Sequence, residues 1–446
     1  MGKAISIADS FNTRKLLRYT LPTIVMMIFT SIYSVVDGIF VSNFAGKTAF
    51  AAINLIYPVV MVVGSLGFMM GAGGSALVAK ILGEGDGDRA KRSFSLITYV
   101  TIGAATTLSI VALILLKRIS IWLGAEGQML SDCIRYGRIV IVALPAFLLQ
   151  CMFQPFMVAA DRPSLGLKFA IVAGLTNILF DYLFIVLFGW GLEGAAYATA
   201  LSQCVAGIGP LIYFLCPNSS MLHLGSTKWE GGVLRQTCLN GSSEMATNIS
   251  ASIVVMLYNA QLLKYIGENG VAAYGVIGYL LFIFTAIFFG YSTGSAPIVS
   301  YNYGARRHSE LRGVVHRSYR LIAIFSIGLT LAAELLSAPL AQLFVGYNQE
   351  LYQLTLKALR IYCLSFLLAG ANIYTSALFT ALNNGPISAI ISFSRTLIFE
   401  CGAVIAIPLL IGIDGIWWAI SFAESAALVM SLGFLWRYRH RYKLVE

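Results

Sequence analysis

The sequence predicts an all-α integral membrane protein: twelve transmembrane helices in two pseudo-symmetric six-helix lobes around a central cavity. Three observations predict it. Of 446 residues, 58% are hydrophobic and 11% are charged, whereas a soluble domain is about a quarter charged. Mean hydropathy is +0.80. Apolar runs long enough to cross a bilayer, which takes about 20 residues, recur twelve times. A set of glycines, prolines and acids also repeats at a shift of 221 to 223 positions. Twelve crossings leave no polar stretch longer than about thirty residues on that length rule. An appended catalytic, ATP-binding or DNA-binding module is therefore not expected.

The polar opening, Met1 to Leu16, has no short apolar core ending in a cleavage site, so a removable signal peptide is not expected. Crossings follow at 16–41 and 50–80. The run Gly83-Glu84-Gly85-Asp86-Gly87-Asp88 ends the second. It lacks the spacing of a phosphate loop or an EF-hand and is followed by Arg89, Lys91 and Arg92, so it reads as a solvated turn. The next crossings are 94–116, 136–158, 164–187 after Pro163, and 194–215. A connection from Cys216 to Val233, with Pro217, Asn218, Gly225 and Gly231-Gly232, reads as a linker. Beyond it lie 234–264, 271–299, 319–345, 352–380, 387–411 after Pro386, and 415–436. The expected organisation is an N-terminal lobe at 1–215, a cytoplasmic linker at 216–233 and a C-terminal lobe at 234–446.

Charge placement sets the orientation, because cytoplasmic loops are rich in Lys and Arg. With the N-terminus inside, the inner segments hold 21 of the 30 Lys and Arg, including Lys3, Arg14, Lys15 and Arg18 at the start and Arg306, Arg307, Arg312, Arg317 and Arg320 in the fourth loop on that side. The outer segments hold eight, among them Lys47. Both termini are expected in the cytoplasm. The net charge of +10 then needs no nucleic acid partner.

Ala51-Ala52, Gly73 and Gly83 return as Ala272-Ala273, Gly294 and Gly304, shifted by 221. Pro163 and Gly189 return as Pro386 and Gly412, shifted by 223, and Glu193-Gly194 as Asp414-Gly415, shifted by 221. Two parallel six-helix units follow, and such halves face each other across a pathway with sites inside the membrane.

The four histidines, His223, His308, His316 and His440, fall in loops or tails, and the seven cysteines have no metal or redox spacing. Any coupled ion must be carried by carboxylates. Six acids lie within crossings: Asp37, Asp181, Glu244, Glu334, Glu400 and Glu424. An acid at the bilayer centre costs about 3 kcal/mol or more, so each is a functional candidate. Asp37 and Asp181 both fall in the outer third of outward-running crossings. Asn177 shares the Asp181 face at a spacing of four, and Thr199 opens the next crossing at the same level. This oxygen-rich layer suits sodium, and its paired carboxylates also suit a proton.

At these residues the chain resembles the multidrug and toxic compound extrusion family over nearly its whole length, in its DinF/MepA-like prokaryotic branch. Pro22 precedes Asp37 by fifteen residues, as in the DinF-type branch. Asn177-Ile178-Leu179-Phe180-Asp181 is similar to the family's fifth-crossing motif, Thr199 sits in a small-residue run like that of its sixth, and Pro297-Ile298-Val299-Ser300-Tyr301-Asn302-Tyr303-Gly304-Ala305 resembles a run common in MepA-like members. The resemblance implies two lobes in a V around a cavity, and export of amphipathic, often cationic compounds in exchange for sodium or hydrogen ions. It implies an ion site, with sodium as one occupant, on Asp37, Asn177, Asp181 and Thr199, and a helix bend at Pro22. The NorM-type acid of the tenth crossing has no match here, so no second-lobe ion site is carried over.

Glu244 is a candidate for attracting a cationic substrate or for gating. Arg395 and Glu400, five residues apart, are substrate or gating candidates, or an internal ion pair. Tyr33, Met61, Phe68, Met69, Met152, Phe153, Phe156, Tyr258, Tyr279, Phe282 and Phe288 are candidates to line a drug cavity. The expected function is secondary active multidrug efflux. The competing reading, a lipid-linked precursor flippase of the related superfamily, calls for several basic cavity residues, and only Arg395 qualifies. An enzyme would need a nucleophile and base or a metal set. No enzyme activity and no cofactor are expected. A monomer in a prokaryotic cytoplasmic membrane is.

Overall fold

The computed structural model describes residues 5–41 and 47–444, leaving Lys3 and the side chains of Lys47 and Ala51 outside the described residues. The helices are α1 (Thr13–Phe40), α2 (Lys47–Gly83), α3 (Gly87–Trp122), α4 (Gly127–Ala159), α5 (Pro163–Asp181), α6 (Gly191–Leu215), α7 (Gly231–Tyr265), α8 (Glu268–Gly304), α9 (His308–Val345), α10 (Gln349–Cys363), α11 (Phe366–Ala381), α12 (Gly385–Phe393), α13 (Cys401–Ile411) and α14 (Asp414–Tyr438). They make twelve crossings. α10 and α11 form one crossing bent by 47°. The turn Tyr182–Leu187 extends α5, and the turn Ser394–Glu400 joins α12 to α13, both with π-helical winding.

Several helices outrun their apolar stretches. α3 starts at Gly87 rather than near 94, because the Asp86 side chain accepts from the Arg89 backbone N–H at 2.9 Å and caps it. Hydropathy marks only the part in lipid. A capped helix continues into water, where backbone pairing costs nothing extra.

The first lobe is packed by aromatic contact: Phe94, Phe153, Phe156 and Phe214 meet with centroids 4.9 to 6.4 Å apart. A larger buried cluster around Tyr258, Tyr291, Tyr374 and Trp417 forms the second. The lobes meet through glycines of α2, α7 and α8. A Cβ on Gly83 would strike the Tyr301 carbonyl, and one on Gly304 the Lys80 carbonyl. Gly73 lies against Thr237 and Gly241 as Gly294 lies against Thr20. Each contact maps onto its partner under the same 221-residue shift that relates the sequences. The repeat is thus a spatial two-fold. Its turns obey it too: Gly85 and Arg306 have φ of +90° and +54°, Asp161 and Asn383 +59° and +57°.

The face that carries the α4–α5 and α8–α9 turns is strapped by the chain's start. Asp161, in the turn between α4 and α5, accepts from the Ser6 hydroxyl (2.7 Å), the Ile7 backbone N–H (2.8 Å) and the Tyr19 hydroxyl (3.0 Å). Arg307, at the start of α9 in the other lobe, donates to the Ala8 carbonyl at 2.7 Å. The α6–α7 connection is held to the first lobe by Arg162 on the Ser219 carbonyl and by Tyr99 on the Gly225 carbonyl.

Candidate functional site

Asp37 sits in the last turn of α1, where its backbone carbonyl accepts from the Val41 N–H. Asn177 and Asp181 lie one turn apart on α5, 2% and 0% exposed. After Asp181 the helix widens into the π turn, where the Phe188 N–H reaches back five residues to the Leu183 carbonyl. Such insertions are frequent at functional sites because they re-aim a side chain. The structure brings Asp37 within interaction range of both Asp181 and Asn177. Asp37 Oδ1, Asn177 Oδ1 and both carboxylate oxygens of Asp181 are buried without a hydrogen-bond partner.

Buried oxygens of this kind are costly unless something positive reaches them. Two adjoining carboxylates cannot both stay ionised in a dry site; they share a proton or hold a cation. The donors are hard oxygens, which fits sodium as well. Among the described residues no group of three or more His, Cys, Asp or Glu could hold a metal ion. Thr199 stands half-buried on α6, whose first turns pack on the π turn through Gly194 against Phe184. It makes no hydrogen bond to the acids among the described residues.

The sequence reading missed Tyr136 and Gln150. Tyr136, 7% exposed, lies in electrostatic reach of both acids, and Gln150 interacts with the Tyr33 hydroxyl. Gln150 is legible in retrospect as the polar interruption of an apolar run between Pro145 and Pro155. Between α1, α4, α5 and α6 lies a small cavity of about 20 Å³, lined by Met26, Thr30, Tyr33, Gln150, Phe153 and Met157 among others. Of the aromatic and methionine candidates, Tyr33 and Phe153 line it. Met69, Met152, Phe156, Tyr258 and Phe288 are packed in the cores, while Tyr279 and Phe282 are exposed.

In the second lobe the expected ion pair between Arg395 and Glu400 is corrected. Arg395 pairs with Glu424 of α14, Nη2 to Oε1 at 2.6 Å and Nε to Oε1 at 2.9 Å. Spaced five apart, Arg395 and Glu400 do not share an α-helical face, and α14 brings the Glu424 carboxylate against the guanidinium instead. Glu424, ranked low by sequence, is 1% exposed and also accepts from Asn372 Nδ2 at 2.7 Å. Glu244, half-buried on α7, follows Gly241 by one turn beside the α2 contact. Pro22 lies inside α1, which stays helical through it.

Twelve crossings in two lobes related by a two-fold, with an orphaned acid pair inside the membrane, define the architecture of a membrane transporter. The MatE family profile matches residues 22–183 and 244–402. The chain belongs to the MatE family, a family of transporters and not of enzymes. It is 22% identical over 436 residues to the multidrug export protein MepA of Staphylococcus aureus (strain MSSA476), covering 96% of this chain and 94% of the relative. It is 22% identical to MepA of Staphylococcus haemolyticus (strain JCSC1435) over 432 residues, with the same coverage. In fold it is similar to a crystal structure of MATE in complex with MaL6, with a TM-score of 0.92, 22% identity and 99% of each chain covered. An outward-facing conformation of a multidrug resistance MATE family transporter of the MOP superfamily gives a TM-score of 0.92 and 22% identity over 99% of this chain and 98% of that one.

Proposed function

We propose that the chain is a secondary active multidrug efflux antiporter, exporting amphipathic, cationic organic compounds in exchange for sodium or hydrogen ions. The observation that carries this reading is the contact of Asp37 with Asp181 and Asn177, all with buried, unpartnered oxygens. The matched relatives are named multidrug export proteins, which supports export of the same kind of cargo. In this reading Asp37, Asn177 and Asp181 hold the ion, Thr199 completes the set when α6 closes on it, and bending of α1 at Pro22 opens and closes the pocket, since proline leaves a helix bond unmade. Ion entry from outside favours the cargo-releasing state, and the emptied carrier returns. The lobes at 1–215 and 234–446 rock about the glycine contacts, with the linker at 216–233 and both termini in the cytoplasm of a prokaryotic cell. The carrier works as a monomer. Glu244 draws cationic cargo towards the interface. A flippase for anionic lipid-linked precursors is disfavoured, because the Arg395 charge is already neutralised by Glu424.

The test is efflux of an ethidium-like dye from liposomes containing purified protein, under sodium and pH gradients imposed separately. Asp37→Asn and Asp181→Asn are each expected to abolish gradient-driven efflux while inserting normally. Full efflux in both variants would remove the coupling site.

A further inference from the structure

The start of α1 carries a basic groove that the transport reading leaves unused. Ile5 and Asn12 of the strap and Arg14, Lys15 and Arg18 of α1 line a groove of about 430 Å³. Its three charges are not in the same position. Lys15 Nζ meets Asp9 Oδ2 at 2.9 Å and lies 5.6 Å from the centre of the Phe11 ring, so it holds the strap to the helix. Arg14 and Arg18 are exposed and make no hydrogen bond or ion pair among the described residues. Four residues apart, they share one helix face and repel each other until an anion comes between them.

That face is the one α1 turns to lipid. At 3.6 residues per turn, Arg14, Arg18, Leu21, Val25 and Ile32 fall within about 60° of the helix circumference. Leu21, Val25 and Ile32 are 49%, 39% and 45% exposed. The other sides of the helix are covered: Thr20 and Ile24 lie against Gly294 and Gly290 of α8, and Met26, Phe29 and Tyr33 against Gly166 and Gly174 of α5. The exposed stripe therefore runs between α8 and α5, open to the bilayer. From Tyr19 to Val36 the chain has no charged residue, and the roughly 27 Å of helix this makes nearly spans a bilayer core of about 30 Å. Arg18 and Arg14 then stand at headgroup depth. A soluble anion would use the arginines and leave the stripe idle, whereas a phosphate that carries acyl chains uses both.

We propose that Arg14 and Arg18, with Ile5 and Lys15 as the wall of the groove, seat the phosphate headgroup of one anionic phospholipid whose acyl chains lie along Leu21, Val25 and Ile32. Two guanidinium groups hold phosphate oxygens through several N–H donors at once. The acid beside the groove, Asp9, is taken by Lys15, so the cation of a zwitterionic headgroup finds no partner there and a net negative lipid is favoured. Because the strap forms one wall, a filled seat braces the strapped state. The seat does not depend on what the carrier exports.

The test titrates phosphatidylglycerol onto purified full-length protein in detergent and counts bound lipids by native mass spectrometry. Arg14→Gln with Arg18→Gln is expected to weaken the tightest-bound phosphatidylglycerol by about tenfold or more, the effect of two arginines at a membrane surface. Arg89→Gln with Arg92→Gln, which removes the same charge from the exposed start of α3, is expected to leave that lipid in place. Equal weakening by the two pairs of changes means diffuse attraction and overturns the proposal, as does wild-type binding in the α1 variant. Glycerol phosphate at millimolar concentration is expected not to displace the lipid; displacement would make this a site for free phosphate and overturn the lipid seat. Amide exchange then locates the lipid, since exchange reports local opening. In nanodiscs of phosphatidylcholine alone, residues 5–12 are expected to exchange equally in wild type and the α1 variant. With phosphatidylglycerol added they are expected to exchange several-fold more slowly in wild type than in the variant, which shares its surface pH. Equal exchange there overturns the proposal. Arg14→Lys with Arg18→Lys keeps both charges without the forked donors and is expected to bind with intermediate strength, which separates a weakened seat from a damaged fold.

Discussion

Asp161 shows how one side chain can hold a surface together. Its backbone sits at φ +59°, a conformation that short polar residues tolerate and alanine does not. Burial pushes its carboxyl above the ordinary range, the hydrogen bonds from Ser6, Ile7 and Tyr19 pull the other way, and the charge of Asp9 adds to the rise. A raised carboxyl in the folded state means that the strapped form holds its proton more tightly than the released form. Strapping is therefore strongest below the usual carboxylate value, about 4, and weakens as pH climbs through the elevated one. Amide exchange at residues 5–12, taken relative to the intrinsic rate at each pH, is expected to quicken over that interval in wild type and not in Asp161→Asn. Asp161→Ala is expected to quicken it at every pH, by about 2 kcal/mol of lost hydrogen bonding. Such a positive-φ tether is invisible in hydropathy, because its partners lie more than 150 residues apart. Asp37 and Asp181, by contrast, were legible from sequence, since an acid inside an apolar run is conspicuous by its cost.

At the scale of elements, the Arg395–Glu424 pair ties the crossing of α12 and α13 to α14. Glu424→Gln leaves a buried guanidinium with a weakened partner. The expected cost is up to about 3 to 5 kcal/mol, read as a fall in Tm of the detergent-solubilised protein. Arg395 and Glu424 changed together to apolar residues of similar volume are expected to recover much of it. Sequence spacing offered Glu400 because it compares only residues near in the chain, whereas Glu424 lies 29 residues away on another helix. The glycine contacts behave similarly. Gly73 and Gly83 were legible as a repeat, while their task, letting backbones of opposite lobes touch, depends on which helices face each other. Gly83→Val is expected to push α2 from α8 and lower Tm, with an overpacking cost of about 1 to 3 kcal/mol.

For the whole molecule, the excess of Lys and Arg on one side fixes the expected orientation, and the exposed Cys216 in the linker reports it. A membrane-impermeant maleimide is expected to label Cys216 only after the cytoplasmic side is opened. Labelling of intact cells at that residue would reverse the orientation of every loop. The two-fold puts the tight glycine contacts on the same side as the strap from Ser6 to Arg307, so any opening of the lobes there must break both together.

Composition, apolar length and the recurring shift were enough to determine the class, the number of crossings, the two lobes and the first-lobe acids, because lipid forces every span to be long, apolar and helical. Which side chains meet was decided only by the tertiary structure. Glu424 taking Arg395 from Glu400, Tyr136 and Gln150 joining the acids, and Asp161 holding the chain's start all depend on helix rotation and turn geometry. Those are set by packing between distant segments, and a linear sequence carries that information only in its sum.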